Sequence, residues 1–384
     1  MTLRSRQFER ILLIKPSAVG DVIHTVPVLA RLRERYPRAR IDWLLTPAIA
    51  ELMGRHSALS NAVLFDRHTF SWFGRSWGAT KGLFDLMSAL RRTRYDLVID
   101  LQGQMRSAIL TMASGAPVRI GFDRPRAGVD KSTCQRLGKQ TLPHGWKGAR
   151  EGAWISYTHR IPIPTLDVHA VDRYLWVSRL LGLRFGPPDF RIPVPSAATE
   201  RIAGLLRKNG LENRPLAVLV PGTVWETKHW RVNGFADVAR YLLSAGWSVA
   251  LAGSAKEHLR CQAVAAVCPG VRDLSGQTTL SELAALLQMS SMCVSNDSGS
   301  MHLAVALGTP VVSIFGPTDP VWVGPYGHPE AVLQASLACA PCYLRKLRGC
   351  PHDHRCMNEV TSAMVIERVR QTIASRGVAF PRAS

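Results

Sequence analysis

The chain has 384 residues, enough for two domains of ordinary size, and 46% of them are hydrophobic, so a sizeable core is available. No run of about 18 apolar residues occurs, which excludes a bilayer-spanning helix, and the start Met1-Thr2-Leu3-Arg4-Ser5-Arg6-Gln7 lacks the apolar centre of a signal peptide. A formal net charge of +20 points to an anionic partner, either nucleic acid or a membrane surface, or to a general Arg-rich surface.

These features place the protein in the cytosol or on the inner face of a membrane. Thiols there stay reduced, so the eight cysteines are not expected to form a disulfide framework. Short apolar runs predict strands over Ile11–Lys15, Ile41–Leu45, Val63–Phe65, Leu97–Leu101 and Val118–Phe122, with helices over Asp21–Tyr36 and Leu83–Arg92. In the second half, strands are predicted at Leu216–Val220, Ser248–Ala252, Met292–Ser295 and Pro310–Phe315. Helices are predicted near Gly234–Ala245, Lys256–Val267, Leu280–Leu287 and Ser300–Leu307. Strand alternating with helix reads as α/β with parallel, doubly wound sheets. The Pro-rich stretch Phe185–Pro195 and the polar run Lys208–Pro215 suggest two Rossmann-like domains, residues 1–190 and 191–384. A helical tail over Ser362–Ser375 is free to pack back on the first domain.

Four turns after predicted strands concentrate the chemistry. Lys15–His24 opens the first helix but is neither a G-x-G-x-x-G nor a Walker loop. Asp21 in its first turn suits a general base at the carboxyl edge of a sheet, or simply complements the helix dipole. In Pro221–Trp230, the hydroxyls of Thr223 and Thr227 and the cation of Lys228 suit a diphosphate. In Leu251–Glu257, Glu257 suits ribose hydroxyls or a helix cap. Ser295–His302 opens a helix whose free N–H groups attract phosphate; the same pattern also reads as an ordinary cap by Asp297 or Ser298.

Taken together, the segments KPSAVGDVIHTVP (Lys15–Pro27), DLQG (Asp100–Gly103), IGFDR (Ile120–Arg124), PGTVWETKHW (Pro221–Trp230) and SNDSGSMHLAVALGTPVVSIFGP (Ser295–Pro317) resemble the ADP-heptose:lipopolysaccharide heptosyltransferases, glycosyltransferase family 9. The resemblance implies a GT-B fold with two Rossmann-like domains facing across a cleft, the first for the acceptor and the second for the donor. It implies inverting transfer of heptose from ADP-heptose to an inner-core hydroxyl of lipopolysaccharide, with no cofactor required. Asp21 matches the family's general base, and Thr223 and Lys228 lie near the donor diphosphate. Asp297, Ser298, Gly299 and His302 match the donor-binding turn. Val224 stands where some members carry a second Thr, and Arg106 takes the place of a Lys after the Gln-Gly turn.

Arg106, Arg124 and Arg126 are candidate acceptor contacts. Arg124, Arg126, Lys131, Arg136, Lys139, Lys147 and Arg150 fall in one irregular stretch, and aromatics and bases mix over His68–Trp77. This composition suits an anionic glycolipid or the inner-membrane surface, which would make the protein peripheral; single-stranded nucleic acid is a less favoured partner. Cys339, Cys342, Cys350 and Cys356 form C-x2-C-x7-C-x5-C, a spacing for structural zinc or iron, with His352 and His354 nearby. Relatives that glycosylate autotransporter proteins carry a similar cluster that binds iron. Rival readings are transfer to a protein or another glycan, and a basic nucleic-acid-binding protein.

Overall fold

In a computed structural model, residues 2–66, 70–140 and 145–375 are described, and the chain divides after Pro193 into two compact units. The first holds a six-stranded, all-parallel sheet in the order β3-β2-β1-β4-β5-β6. Its strands are β1 (Arg10–Ile14), β2 (Arg40–Leu45), β3 (Asn61–Leu64), β4 (Leu97–Asp100), β5 (Val118–Phe122) and β6 (His159–Ile161). The second unit repeats the plan with β7 (Leu216–Val220), β8 (Ser248–Leu251), β9 (Arg272–Asp273), β10 (Met292–Asn296), β11 (Val311–Phe315) and β12 (Val332–Gln334) in the order β12-β11-β10-β7-β8-β9. In each unit the first strand lies centrally, so connections run away from it in both directions. The gap between β1 and β4, and that between β7 and β10, is a topological switch point, where α/β sheets bind ligands at the strands' carboxyl ends.

The central strands are buried on both faces, as their unbroken apolar runs require. Leu216–Val220 and Val311–Phe315 are buried at every position. All nine predicted strands form. The three missed, β6, β9 and β12, are edge strands of two or three residues, too short to show a period.

The predicted helices form with ends shifted by a few residues, as helix Val19–Arg35 shows. Helix Leu83–Arg92 begins earlier, at Trp77, where the Ser76 hydroxyl caps it. The helix Ser362–Ser375 falls within the second unit. Its buried stripe Val365, Val369 and Ile373 completes the second unit's core against helix Val232–Ser244 and β11.

Trp230 anchors that core. It is wholly buried, its Nε1 donates to Val360 O at 2.7 Å, and its ring stands edge-on to Phe235. Gly234, one turn into the following helix, lies flat against the ring, and a Cβ there would sit 2.6 Å from it. Alanine favours a helix interior over glycine by about 1 kcal/mol. Overpacking a rigid core costs about 1–3 kcal/mol, so the clash wins. Gly234→Ala is therefore expected to lower the urea midpoint with an unchanged slope; an unchanged or raised midpoint would show that the ring yields.

Candidate functional site

In the first unit, the loop after β1 leads into helix Val19–Arg35, whose N-cap, Ala18, offers no side-chain bond. Asp21 lies in the first turn with its side chain 42% exposed. Its carboxylate answers to tertiary partners: Tyr174 Oη donates to Oδ1 at 2.8 Å, and Lys15 Nζ lies 3.6 Å from Oδ2. Lys15 is buried, which pushes its ammonium pKa down, while the charges of Asp21 and Asp100 oppose that shift.

Across the switch point, Asp100 ends β4 fully buried. It accepts from Gln102 N at 2.8 Å, Gly103 N at 3.1 Å and Tyr157 Oη at 2.8 Å. Burial drives its pKa up, and these donors oppose the rise. The bonds fix the Gln102-Gly103 turn, where Gly103 has φ +66° and a Cβ would crowd Ala149 at 3.3 Å. The turn delivers Gln104 as cap of helix Met105–Ala113. Exposed Arg106 thereby lines one pocket with Pro16, Ser17, Gln102 and Gln104, so the structure brings it to the Lys15–Asp21 loop. Arg124 and Arg126 lie further along, after β5. Arg126 is ion-paired with Asp123, whose second oxygen accepts from Arg124 N.

In the second unit, the loops after β7 and β10 meet at the other switch point. Asn296, wholly buried, joins them: its Nδ2 donates to Pro221 O at 2.9 Å, and its Oδ1 accepts from Trp230 N at 3.1 Å. Arg260 Nε adds a bond to Pro221 O at 2.9 Å. Asp297 Oδ2 accepts from Lys228 Nζ and from Thr318 Oγ1, both at 2.6 Å, and Thr223 Oγ1 donates to Asp297 O at 3.1 Å. Lys228 Nζ also lies 4.5 Å from the centroid of the Trp225 ring.

Ser298 is the N-cap of helix Gly299–Ala306, with His302 buried on its second turn. The cap reading holds: Ser298 Oγ accepts from Met301 N at 3.4 Å. Glu257 likewise serves a capping box, with Oε2 accepting from Ser254 N and Oγ. The stem of Glu257 lies against Gly222, where any Cβ would approach within 2.6 Å, so the two turns touch.

Thr227 departs from expectation. It is 2% exposed and donates inward to Leu344 O at 2.5 Å, bracing the loop rather than facing outward. The cysteine segment also departs. Among the described residues no group of three or more His, Cys, Asp or Glu side chains is placed to hold a metal, so the zinc or iron expectation is not met. Cys356 is buried, and burial followed by the charges of Cys342, Cys339 and Cys350 pushes its thiol up to about 12. His354 Nε2 engages Thr227 O at 2.7 Å, and Leu347 N donates to Glu226 Oε2 at 3.1 Å. The segment is thus a brace for the Lys228 loop. Sequence reasoning gave no role to Asn296, Tyr174, Asp100, Trp225 or Thr318; Asn296 and Asp100 were marked only by standing at strand ends within the quoted motifs, and nothing local marked Tyr174.

Known proteins share this fold. The model of the family described as glycosyltransferase family 9 (heptosyltransferase) matches residues 83–136 and 131–349. The chain is 31% identical over 341 residues to lipopolysaccharide heptosyltransferase 1 of Pseudomonas aeruginosa, covering 87% of this chain and 86% of that protein. It is 27% identical over 329 residues to lipopolysaccharide heptosyltransferase 1 of Escherichia coli, covering 85% and 93%. A structure of an E. coli ADP-heptose lps heptosyltransferase II matches with a TM-score of 0.72 at 22% identity, over 96% of this chain and all of that one.

The Lys228–Asp297 pair carries a stability consequence. Both side chains are largely withdrawn from water, at 14% and 4% exposure. Removing one member of such a pair strands the other charge and costs about 3–5 kcal/mol. Asp297→Ala is expected to lower unfolding free energy toward that range in chemical denaturation; a loss below about 1 kcal/mol would mean that Lys228 swings to solvent without cost.

Proposed function

Because the chain belongs to glycosyltransferase family 9, we propose that it transfers a heptose from ADP-heptose to a hydroxyl of the lipopolysaccharide inner core. Relatives named for that transfer support the reading, as do structures of a similar heptosyltransferase with ADP and with ADP-2-deoxy-2-fluoro heptose. The observation that carries it is the placing of the matched residues at the two switch points: Asp21 at one, the Lys228–Asp297 pair at the other. This assignment displaces the nucleic-acid reading.

The chemistry follows from those groups. The acceptor oxygen attacks the anomeric carbon as the bond to ADP breaks on the opposite face, giving inversion. The electron pair leaves with the diphosphate, and the acceptor proton passes to Asp21. Lys228 and the first N–H groups of helix Gly299–Ala306 stabilise the charge that gathers on ADP. Thr223 and Asp297 set the position of Lys228. Glu257 Oε1, left over from the capping box, takes the ribose hydroxyls, with Ser298, Gly299 and His302 closing the nucleotide side. Arg106, Arg124 and Arg126 meet the anionic acceptor.

The acceptor's lipid calls for a membrane-facing surface, and we place the protein on the cytoplasmic side of the inner membrane. Along helix Trp77–Thr93, the exposed face carries Trp77, Lys81, Phe84, Ser88, Arg91 and Arg92, with Asp85 as its one acidic residue. Trp77 is 82% exposed, and Trp72 and Phe73 precede it. His68 and Thr69, read with this aromatic stretch, lie outside the described residues. Aromatic and basic side chains together suit an anionic interface. No described helix is long and apolar enough to cross a membrane.

Asp21→Ala should cut turnover of ADP-heptose by about 100- to 10,000-fold, the usual worth of a general base, with ADP affinity retained; wild-type turnover would remove Asp21 as the base. On vesicles containing anionic lipid, Lys81→Ala with Arg91→Ala should lower partitioning about tenfold or more, since each base contributes about 1 kcal/mol at such a surface. Equal binding of the variant and the native protein would disprove this docking face.

A further inference from the structure

Asp21 is held more firmly than a helix-start carboxylate needs to be. Ala18 caps the helix without a side chain, and nothing in the capping pattern requires a partner for Asp21. Yet Tyr174, from the helix Ala170–Leu175 that packs on helix Val19–Arg35, spends its hydroxyl on Asp21 Oδ1 at 2.8 Å. Tyr174 is 3% exposed, with its ring 6.2 Å from that of Phe122, so its hydroxyl has little freedom to move. Lys15 Nζ sits 5.1 Å from the centroid of the same ring and 3.6 Å from Oδ2. The carboxylate is thus held by a short hydrogen bond at one oxygen and by a longer ion pair, 3.6 Å, at the other, with the side chain still 42% exposed.

The groups around it define its electrostatics. Lys15 approaches from β1, backed by Asp100 and Arg150. Tyr174 approaches with Arg173 beside it on the same helix. His24, on the helix that carries Asp21, stands edge-on to His169 at 5.0 Å. Burial first, and then the charge of Asp21, hold the Tyr174 phenol well above its ordinary range. It therefore keeps its proton at any working pH and acts only as a donor.

We infer that Tyr174 is a positioning residue for glycosyl transfer: by pinning Oδ1 it fixes the Asp21 carboxylate so that Oδ2 is presented to the acceptor hydroxyl. The inference rests on Asp21 being the base.

The test measures kcat, donor KM and melting temperature for the full-length protein carrying Tyr174→Phe, and for protein with 3-fluorotyrosine at 174, which keeps the hydroxyl. Tyr174→Phe should lower kcat about 10- to 100-fold, the range for one hydrogen bond to a charged group, while donor KM stays unchanged. Fluorotyrosine, still able to donate, should hold kcat close to wild type. A merely structural role would lower the melting temperature and leave kcat in place. Wild-type kcat in the Tyr174→Phe protein would overturn the inference. Asp21→Ala, assayed alongside, separates the cases: if it stays active, the base assignment itself has failed; if it is dead while the Tyr174 proteins match wild type, only the role of Tyr174 has.

Discussion

The two hydrogen bonds of the Asn296 side chain are the constraint on which the second unit's site depends. A buried amide must satisfy its donors and acceptor, and here they join the Pro221 carbonyl to the Trp230 N–H across the ends of two strands. That closes Pro221–Trp230 into a loop of set width. Lys228 then falls within 2.6 Å of the residue next to Asn296, and the neighbouring Thr223 hydroxyl reaches the Asp297 carbonyl. The cation proposed to face the donor phosphate is held by an internal counter-ion, so its position is set within the loop itself. Preorganisation of this kind is what makes charge stabilisation effective, because no reorganisation remains for the moment of reaction.

The first unit solves the same problem with different groups. Its switch point is organised by Asp100, whose carboxylate gathers two backbone N–H groups and a tyrosine hydroxyl in a fully buried setting. Gly121 makes this possible: the Tyr157 ring occupies the volume where a Cβ would stand. In both units, then, a buried polar side chain at the end of the fourth strand ties down the adjoining loop. The group proposed for chemistry stands just beyond the first strand: Asp21 in the first helical turn of one unit, Lys228 on the loop of the other.

The sequence disclosed this arrangement unevenly. The strands were legible because two-sided burial writes unbroken apolar runs, and the polar turns after them were legible because ligand-facing loops interrupt those runs abruptly. The edge strands β9 and β12 were not, since two or three residues carry no period. The motif residues Asp21, Lys228 and Asp297 were found, but not what holds them. Tyr174 lies 153 positions from Asp21, and no local pattern announces such a pairing. The cysteines misled for a related reason. Spacing suggested a metal, whereas the segment's order comes from backbone bonds to Pro317 and from contacts with Glu226 and Thr227. Thr227 looked like a ligand group because its inward orientation is a tertiary fact.

The central placement of the first strand in each sheet has a consequence for how the chain is made. β1 needs β2 on one side and β4 on the other, and Ile11 pairs with Leu97. During synthesis, one edge of β1 stays open until nearly a hundred residues have left the ribosome, and β7 waits for β10 in the same way. These strands are the most apolar in the chain, so the nascent protein carries an unpaired, sticky edge through much of its translation. The topology that creates the binding crevices therefore also creates the interval in which the chain most needs shielding by chaperones.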